Sequence, residues 1–460
     1  MVSNNHPTGL PMAQLALTNE KINSYGGLTL AGRLLSQFCK LSNSFKEPSG
    51  SRSDRIPDAD ILTSMVGLLV QGRTHYEDIE LFRQDESEGF SEALDLDKIP
   101  SEPTLRTRLD TLATSLSMQK LEGVNLALLK AHAPSPLEIN GRKYIPNDID
   151  VTPMDNTGSH RENVGRTYKG CDGFAPIMSN LGQEGFLHHH ELRPGTQHCQ
   201  KNTPAFLERN FQLLKKLKLQ HPVLVRMDAG NDSGDTIEVL RESGHFFLLK
   251  RNLRKDNPVK WLSHAMSQGV PECPREGKEV YTGSVEHHIP GGAKSNQQAL
   301  SCVYRVTRRS IDKRGQALLI DEIAVESYWT NLGESPGDVI KLYHDHGTSE
   351  QFHSELKSDM GIERFPSRDY EVNKLVLALG AIAYNILRSI DSRVMSLKEK
   401  WPQHLRKRSA KLKRRRVGSI MRDLISVACK VVSHAGRKVI KIARCWPWSE
   451  VLISIDRQLA

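Results

Sequence analysis

The seven cysteines, Cys39, Cys171, Cys199, Cys273, Cys302, Cys429 and Cys445, are scattered through 460 residues, and none forms a C-x-x-C pair. Their odd number and irregular spacing exclude a disulfide framework and a zinc knuckle, and point to a reducing compartment. Long hydrophobic runs are also missing. The longest, Leu375 to Tyr384, is too short to span a bilayer. No charged-then-apolar leader opens the chain, so a soluble intracellular protein without a membrane partner is expected. A phosphate-cradling P-loop is absent as well, because "GGAK" at 291–294 lacks the rest of G-x-x-x-x-G-K-[ST]. There is no internal repeat.

What is present is a globular composition, 38% hydrophobic and 25% charged. The length exceeds one compact core and suggests two to four domains. Charge is unevenly placed. Residues 393–445 hold 17 lysines and arginines against Glu399 and Asp423, a net +15 in a chain of net +9, so the remainder carries −6. Such a basic tail favours a polyanion, most simply nucleic acid. Within it Val417, Ile420, Met421, Leu424, Ile425, Val427 and Ala428 recur near helical spacing, so a folded basic helical segment is expected. Arg414, Arg415 and Arg416 are its candidate phosphate contacts.

Residues 1–25 are polar and expected to be loose, and Leu28 to about Ala133 reads as helical. There "PSEPTLRTRL" resembles the entry to a recognition helix, with Arg106 and Arg108 as candidate DNA contacts; an ordinary packing helix fits the same pattern. Near Tyr144 the pattern changes to three strands, helix, strand, helix, strand. The first strand ends in "DIDVT" and the fourth delivers "MDAGND". Residues 251 to about 340 are strand-like and turn-rich, which suggests an inserted β subdomain. The "HHH" of residues 188–190 fits a polar edge strand better than a zinc site, since alternation sends the middle one to the opposite face.

Acids at strand ends of an α/β sheet sit where ligands bind. Asp150 and Asp228 fall at two such ends. A third acid comes from "YHDHGTSEQFHSELKSDMG", where Thr348 and Gln351 read as a capping box and Phe352, Leu356 and Met360 make an apolar stripe. Glu350 and Lys357, seven residues apart, then share another face of the helix. Three carboxylates with open positions suit Mg²⁺ or Mn²⁺ in phosphodiester chemistry, with Lys357 on a phosphate.

Tyr343, two residues, His346, three residues, Glu350, six residues, Lys357 resembles the Y-(2)-R-(3)-E-(6)-K signature of bacterial insertion-sequence DDE transposases. The blocks "DIDVT", "RTYKGCDGFAPI", "ELRPGTQH", "VRMDAGND" and "GRKVIKIARCWPW" are similar to the insertion-sequence group numbered thirteen-eighty. The resemblance runs in order from about residue 28 to the end. It implies an α/β, RNase H-like core in two parts, 141–250 and 341–395, with a β-rich insertion at 251–340. A helical DNA-binding domain (1–140) precedes this core and a basic helical segment (396–460) follows it. It further implies Asp150, Asp228 and Glu350 as the metal-binding catalytic triad, with Tyr343, His346 and Lys357 contacting DNA near the cleaved end. His346 stands where the family usually has arginine, and an imidazole cannot make a bidentate phosphate fork. Asp148 rivals Asp150, although Asp150 and Thr152 fit the family's Asp-x-Thr pattern, and Asp232 rivals Asp228. The expected activity is cleavage of the element's ends and joining of their 3′ ends to target DNA, in the bacterial cytoplasm, by a homodimer on double-stranded DNA. A catalytically silent DNA-binding derivative and a nuclease without strand transfer remain the alternatives.

Overall fold

The computed structural model describes residues 16–46, 55–84, 88–289, 299–312, 314–345, 349–409, 412–434 and 437–460. The expected looseness of residues 1–15, the cap at Thr348, and His346 lie outside the described residues. Among the described residues, one ten-stranded mixed sheet organises the chain. Its strands are β1 (Arg142–Val151), β2 (Ile177–Leu181), β3 (Phe186–Glu191), β4 (Val223–Met227), β5 (Phe246–Lys250), β6 (Glu272–Arg275), β7 (Lys278–His288), β8 (Ala299–Ile311) and β9 (Ala317–Thr330). The short strand Leu137–Ile139 pairs with the start of β1. The spatial order is β6-β7-β8-β9-β5-β4-β1-β2-β3. β1 runs parallel to β4, and β4 to β5, while β2 and β3 are antiparallel additions.

Alternation along β1 sorts two faces. Ile145, Ile149 and Val151 join Phe206, Leu207 and Leu214 of the Thr203–Leu217 helix and Ile237 of the Gly234–Glu242 helix in one core. Tyr144 on the other face meets Val339, Ile340 and Leu342 of the Pro336–His344 helix. The 251–340 segment is not a separate sheet. β9 pairs antiparallel with β5 through Leu248–Thr330, Leu249–Trp329 and Lys250–Tyr328, so the insertion extends the central sheet.

The helices before residue 140 have no core of their own. Ile61, Leu62 and Met65 of the Asp58–Val70 helix share one apolar cluster with Leu379, Ile382 and Ile386 of the Tyr370–Ser396 helix and with Leu424, Val451 and Ile455 near the end of the chain. The Tyr370–Ser396 helix is long and apolar enough to cross a membrane, but 94% of its most apolar window is buried inside the protein. It is a core helix. It also closes the sheet edge. Asn385 Oδ1 accepts from Leu187 N (2.8 Å), Asn385 Nδ2 donates to Leu187 O (2.9 Å), and Asn125 Nδ2 donates to the same carbonyl (3.0 Å). Two asparagines thus satisfy backbone groups that an open edge would expose.

Two expectations are corrected. The C-terminal segment is not purely helical: Cys429–His434 and Arg437–Ile442 form an antiparallel hairpin, and Ile22–Asn23 pairs with its first strand. The sheet edge at residues 188–190 is not polar in the sense expected. A register shift between β2 and β3 skips His188, so alternation breaks there. His188 accordingly meets Asn210 Oδ1 at 3.0 Å while His189 stacks on Phe206 of the same helix, with centroids 4.5 Å apart.

His188 is 1% exposed, and burial pushes its imidazole down to about 4. Its folded value lies below its unfolded one, so the unfolded chain takes up the proton first as pH falls. Stability is therefore intact above the unfolded value and is lost as pH falls towards about 4. Between pH 6.5 and 5 the loss attributable to this group is on the order of 2 kcal/mol. Denaturant titrations of wild type and His188→Gln across that range should show a shallower pH slope in the variant; equal slopes would remove the buried imidazole as the cause.

Candidate active site

The cleft at the carboxyl ends of β1 and β4 is built by strand register. Asp148 of β1 is the registered partner of Arg226 of β4. Two residues further on, the same parallel register and the same face bring Asp150 alongside Asp228. Asp148 is 2% exposed and takes both arms of the Arg226 guanidinium, at 2.6 and 2.8 Å. Asp148 is therefore engaged in a buried ion pair, whereas Asp150 of the same "DIDVT" block lines the cleft. Asp232, with 0% exposure, accepts from Trp329 Nε1 (3.0 Å) and from Asn252 N (2.9 Å), and so ties the insertion to the sheet. Asp228 instead faces the cleft, with one oxygen accepting from Asn231 Nδ2 at 2.7 Å.

The third Arg226 nitrogen donates to Leu342 O at 2.8 Å and fixes the end of the Pro336–His344 helix. The next residue, Tyr343, lines the cleft with its ring against Tyr328 of β9, centroids 4.6 Å apart. Burial first, then the Asp228 and Asp150 carboxylates, push its phenol well above the usual range. The turn after Gly165–Arg166 also contributes, with Tyr168 and Lys169 facing the same space. Burial of the Tyr168 hydroxyl, then Asp150 and Asp228, raise that phenol too. Both phenols stay protonated at neutral pH, which makes them hydrogen-bond donors and poor nucleophiles.

Glu350 enters from the short Ser349–Ser354 helix and is exposed at the cleft margin. Phe352, Leu356 and Met360 are buried, at 2, 2 and 0% exposure, and dock this segment. The helix does not continue as a straight α-helix. Glu355–Asp359 is a π turn, so seven residues no longer close two α-turns. Lys357 nonetheless lines the same cleft as Glu350, held by donation from Nζ to Pro153 O at 3.1 Å. His353, buried on the same helix, sets Nδ1 at 3.7 Å from Asp150 Oδ2. Asp150, Asp228, Glu350, Tyr343 and Lys357 thus border one space of about 620 Å³. Reasoning from sequence passed over Tyr168, Lys169 and His353. The first two stand in the quoted block "RTYKGCDGFAPI", which was the available signal.

The donor set fits a hard divalent cation: two aspartates side by side and a glutamate across the opening, all oxygen donors. Among the described residues no three His, Cys, Asp or Glu side chains are close enough to form a closed metal cluster.

The arginines expected on DNA are mostly engaged inside the protein. Arg414, 9% exposed, pairs with buried Glu355 of the π turn and lies 4.5 Å over the Phe352 ring. Arg415 pairs with Asp423 and packs on Trp401 and Trp448. Arg416 is more open, yet bonds Asp359 (2.8 Å) and Ser354 Oγ (2.8 Å). Arg414 and Arg416 thus bolt the C-terminal segment to the helix that carries Glu350 and to the turn after it, while Arg415 is held within the C-terminal segment itself. Arg108 pairs with Asp58 and donates to Ile56 O (2.9 Å), which makes it a helix-packing residue. Arg106 is half exposed but pairs with Glu102 and Glu77.

The chain matches the model of the family Transposase DDE domain group 1 over residues 11–460, and it belongs to that family. It is a transposase of the DDE type, a class of nucleotidyl-transfer and endonuclease enzymes that generally use divalent metal ions. No curated protein matches it. Among solved structures it is similar to a piggyBac transposase in a cryo-EM synaptic complex with hairpin DNA, at 12% identity and a TM-score of 0.41, over 87% of this chain and 78% of that one.

Replacing Arg414 by methionine leaves the Glu355 carboxylate buried without its cation. The expected cost is about 3–5 kcal/mol in equilibrium unfolding, with most of it recovered when Glu355→Gln is added. Equal stability of Arg414→Met and wild type would show that the bolt carries no load.

Proposed function

We propose that this chain is the transposase of a bacterial insertion sequence, of the group its signature resembles, and that the cleft of Asp150, Asp228 and Glu350 is its active centre. The observation that carries the reading is the strand register that sets Asp150 beside Asp228 at adjacent parallel strand ends, with Glu350 facing both across one cleft. The strand order β3-β2-β1-β4-β5, with β2 antiparallel to β1 and β4 parallel to it, supports an RNase H-like core. A divalent ion, Mg²⁺ or Mn²⁺, would be held by the three carboxylates and would supply an activated water and charge neutralisation at the phosphate.

The chain's own part is to bind and orient. Lys357 offers a cation to a DNA phosphate, and the protonated Tyr343 hydroxyl offers a hydrogen bond. Water attacks phosphorus at the element's end, and the P–O3′ bond breaks as the leaving oxygen takes a proton. The freed 3′-hydroxyl then attacks a phosphorus of target DNA and displaces that strand's own 3′-oxygen. A covalent phosphotyrosine is not needed, because the freed 3′-hydroxyl is itself the nucleophile for joining. Joining two ends to one target is work for a homodimer on double-stranded DNA, in the cytoplasm where chromosome and plasmids are found.

The test uses purified chain, divalent metal and duplexes carrying the inverted repeats that flank its gene. Asp150→Ala, Asp228→Ala and Glu350→Ala should each drop cleavage to background while leaving end binding largely intact. A variant that still cleaves removes that residue from the triad, and a wild-type chain that binds ends without cutting them supports the silent DNA-binding alternative. Lys357→Ala should slow cleavage roughly tenfold to a hundredfold, the scale of one charge-assisted hydrogen bond. Wild-type kinetics there would make the spacing to Glu350 a coincidence.

A further inference from the structure

The wall formed by Tyr168 and Lys169 has no part in the chemistry described so far, although it faces the same carboxylates. Tyr168 is 67% exposed, a large aromatic left in water at the mouth of the cleft. Its position is nonetheless fixed. The hydroxyl donates to Val151 O at 3.2 Å, on the residue next to Asp150. The turn beneath it is closed by Gly170 N to Thr167 O (2.9 Å), by Thr167 N to Cys171 O (2.9 Å) and by Arg166 Nη1 to Gly170 O (2.6 Å). Gly170 takes a positive φ of 80°, which only glycine adopts without strain. Lys169 Nζ lies 5.9 Å from the centre of the tyrosine ring. The result is an anchored aromatic ring with a cation over one face, which leaves the other face for a partner.

Chemistry decides what such a face receives. A flat ring left in water beside three carboxylates suits a base at a DNA end, because an unstacked base loses contacts that an aromatic side chain can replace.

Resting on the transposase reading, we propose that Tyr168 stacks against an unpaired nucleobase at the DNA end while Lys169 contacts the adjoining phosphate. The pair borders the same space as Tyr343 and Lys357. Three carboxylates alone would repel the DNA backbone, and the two lysines offset that repulsion where the phosphate enters. The anchored hydroxyl fixes the ring relative to Asp150, so the base it holds sets the depth at which the scissile phosphate meets the carboxylates.

The full-length chain is titrated, without divalent metal, against end duplexes carrying 2-aminopurine at each terminal position in turn. Stacking on Tyr168 should quench the probe at one position in wild type and in Tyr168→Trp. Tyr168→Ala should lose the quench and about ten- to a hundredfold in end affinity, the range for one base on an aromatic platform. Lys169→Gln should weaken binding and keep the quench. No quench at any terminal position in wild type, or an unchanged quench and affinity in Tyr168→Ala, overturns the proposal. Were Tyr168→Ala to fail to fold, Tyr168→Leu decides, since it keeps the bulk and removes the ring: a quench retained in that variant overturns the proposal. This readout needs no catalysis: a chain that cleaves ends with Tyr168→Ala unchanged loses the stacking role alone, whereas one that quenches but never cleaves loses the catalytic reading.

Discussion

The buried pair of Asp148 and Arg226 is the interaction on which the cleft depends. Both side chains are 2% exposed, and they meet across the two central parallel strands. A buried ion pair is weak evidence of net stability, because desolvation offsets much of the attraction. Its effect here is on registry. A slip of β4 against β1 by one residue would turn Arg226 to the other face and leave Asp148 without its cation. Locking this pair locks the next layer, so Asp150 and Asp228 emerge side by side although like charges repel. The guanidinium below them is the nearest compensating charge on the strands, and its remaining arm holds Leu342 O, which places Tyr343.

Glu350 is positioned by a different and more distant device. Its helix is too short to be stable alone, and short helices depend on packing. The apolar residues Phe352 and Leu356 supply the packing, and Arg414 and Arg416 tie the following π turn to the C-terminal segment. That segment is itself held by the start of the chain: Ile22–Asn23 adds a strand to its hairpin, Gly26 N donates to Val427 O (2.8 Å), and Arg33 pairs with Asp456 (2.6 Å). Glu350 thus depends on both ends of the chain, whereas the two aspartates are set chiefly by the paired strands that carry them.

This division explains what could be read from the sequence. The strands around Asp150 and Asp228 are short apolar runs bounded by turns, and such runs declare themselves locally. Asp150 and Asp148 share a face, so periodicity does not separate them; the Asp-x-Thr pattern favours Asp150, and the long-range partner Arg226 of Asp148 is invisible in the sequence. The π turn at Glu355–Asp359 has no periodic signature, so Glu350 and Lys357 looked like two positions on a straight α-helix. The hairpin at 429–442 was hidden by its lysines and arginines and by the helical spacing just before it. The bulge at His188 broke an alternation that the sequence suggested. Tyr168 sits in a turn, where neither period applies, and only its place beside the carboxylates marks it.

The surplus charge of the 393–445 segment also reads differently once its partners are known. Lys430 pairs with Glu20, Lys438 with Glu88 and Glu92, Arg414 with Glu355 and Arg416 with Asp359. Every one of those acids belongs to the part of the chain that carries the −6. The basic segment is thus in good measure the internal counter-charge of an acidic body, and its composition alone could not distinguish that from a grip on DNA. The net +9 still attracts a polyanion at long range. Long-range attraction does not choose a phosphate, however. Lys357 and Lys169 border the same space as Asp150, Asp228 and Glu350, so the cleft itself holds cations beside its carboxylates.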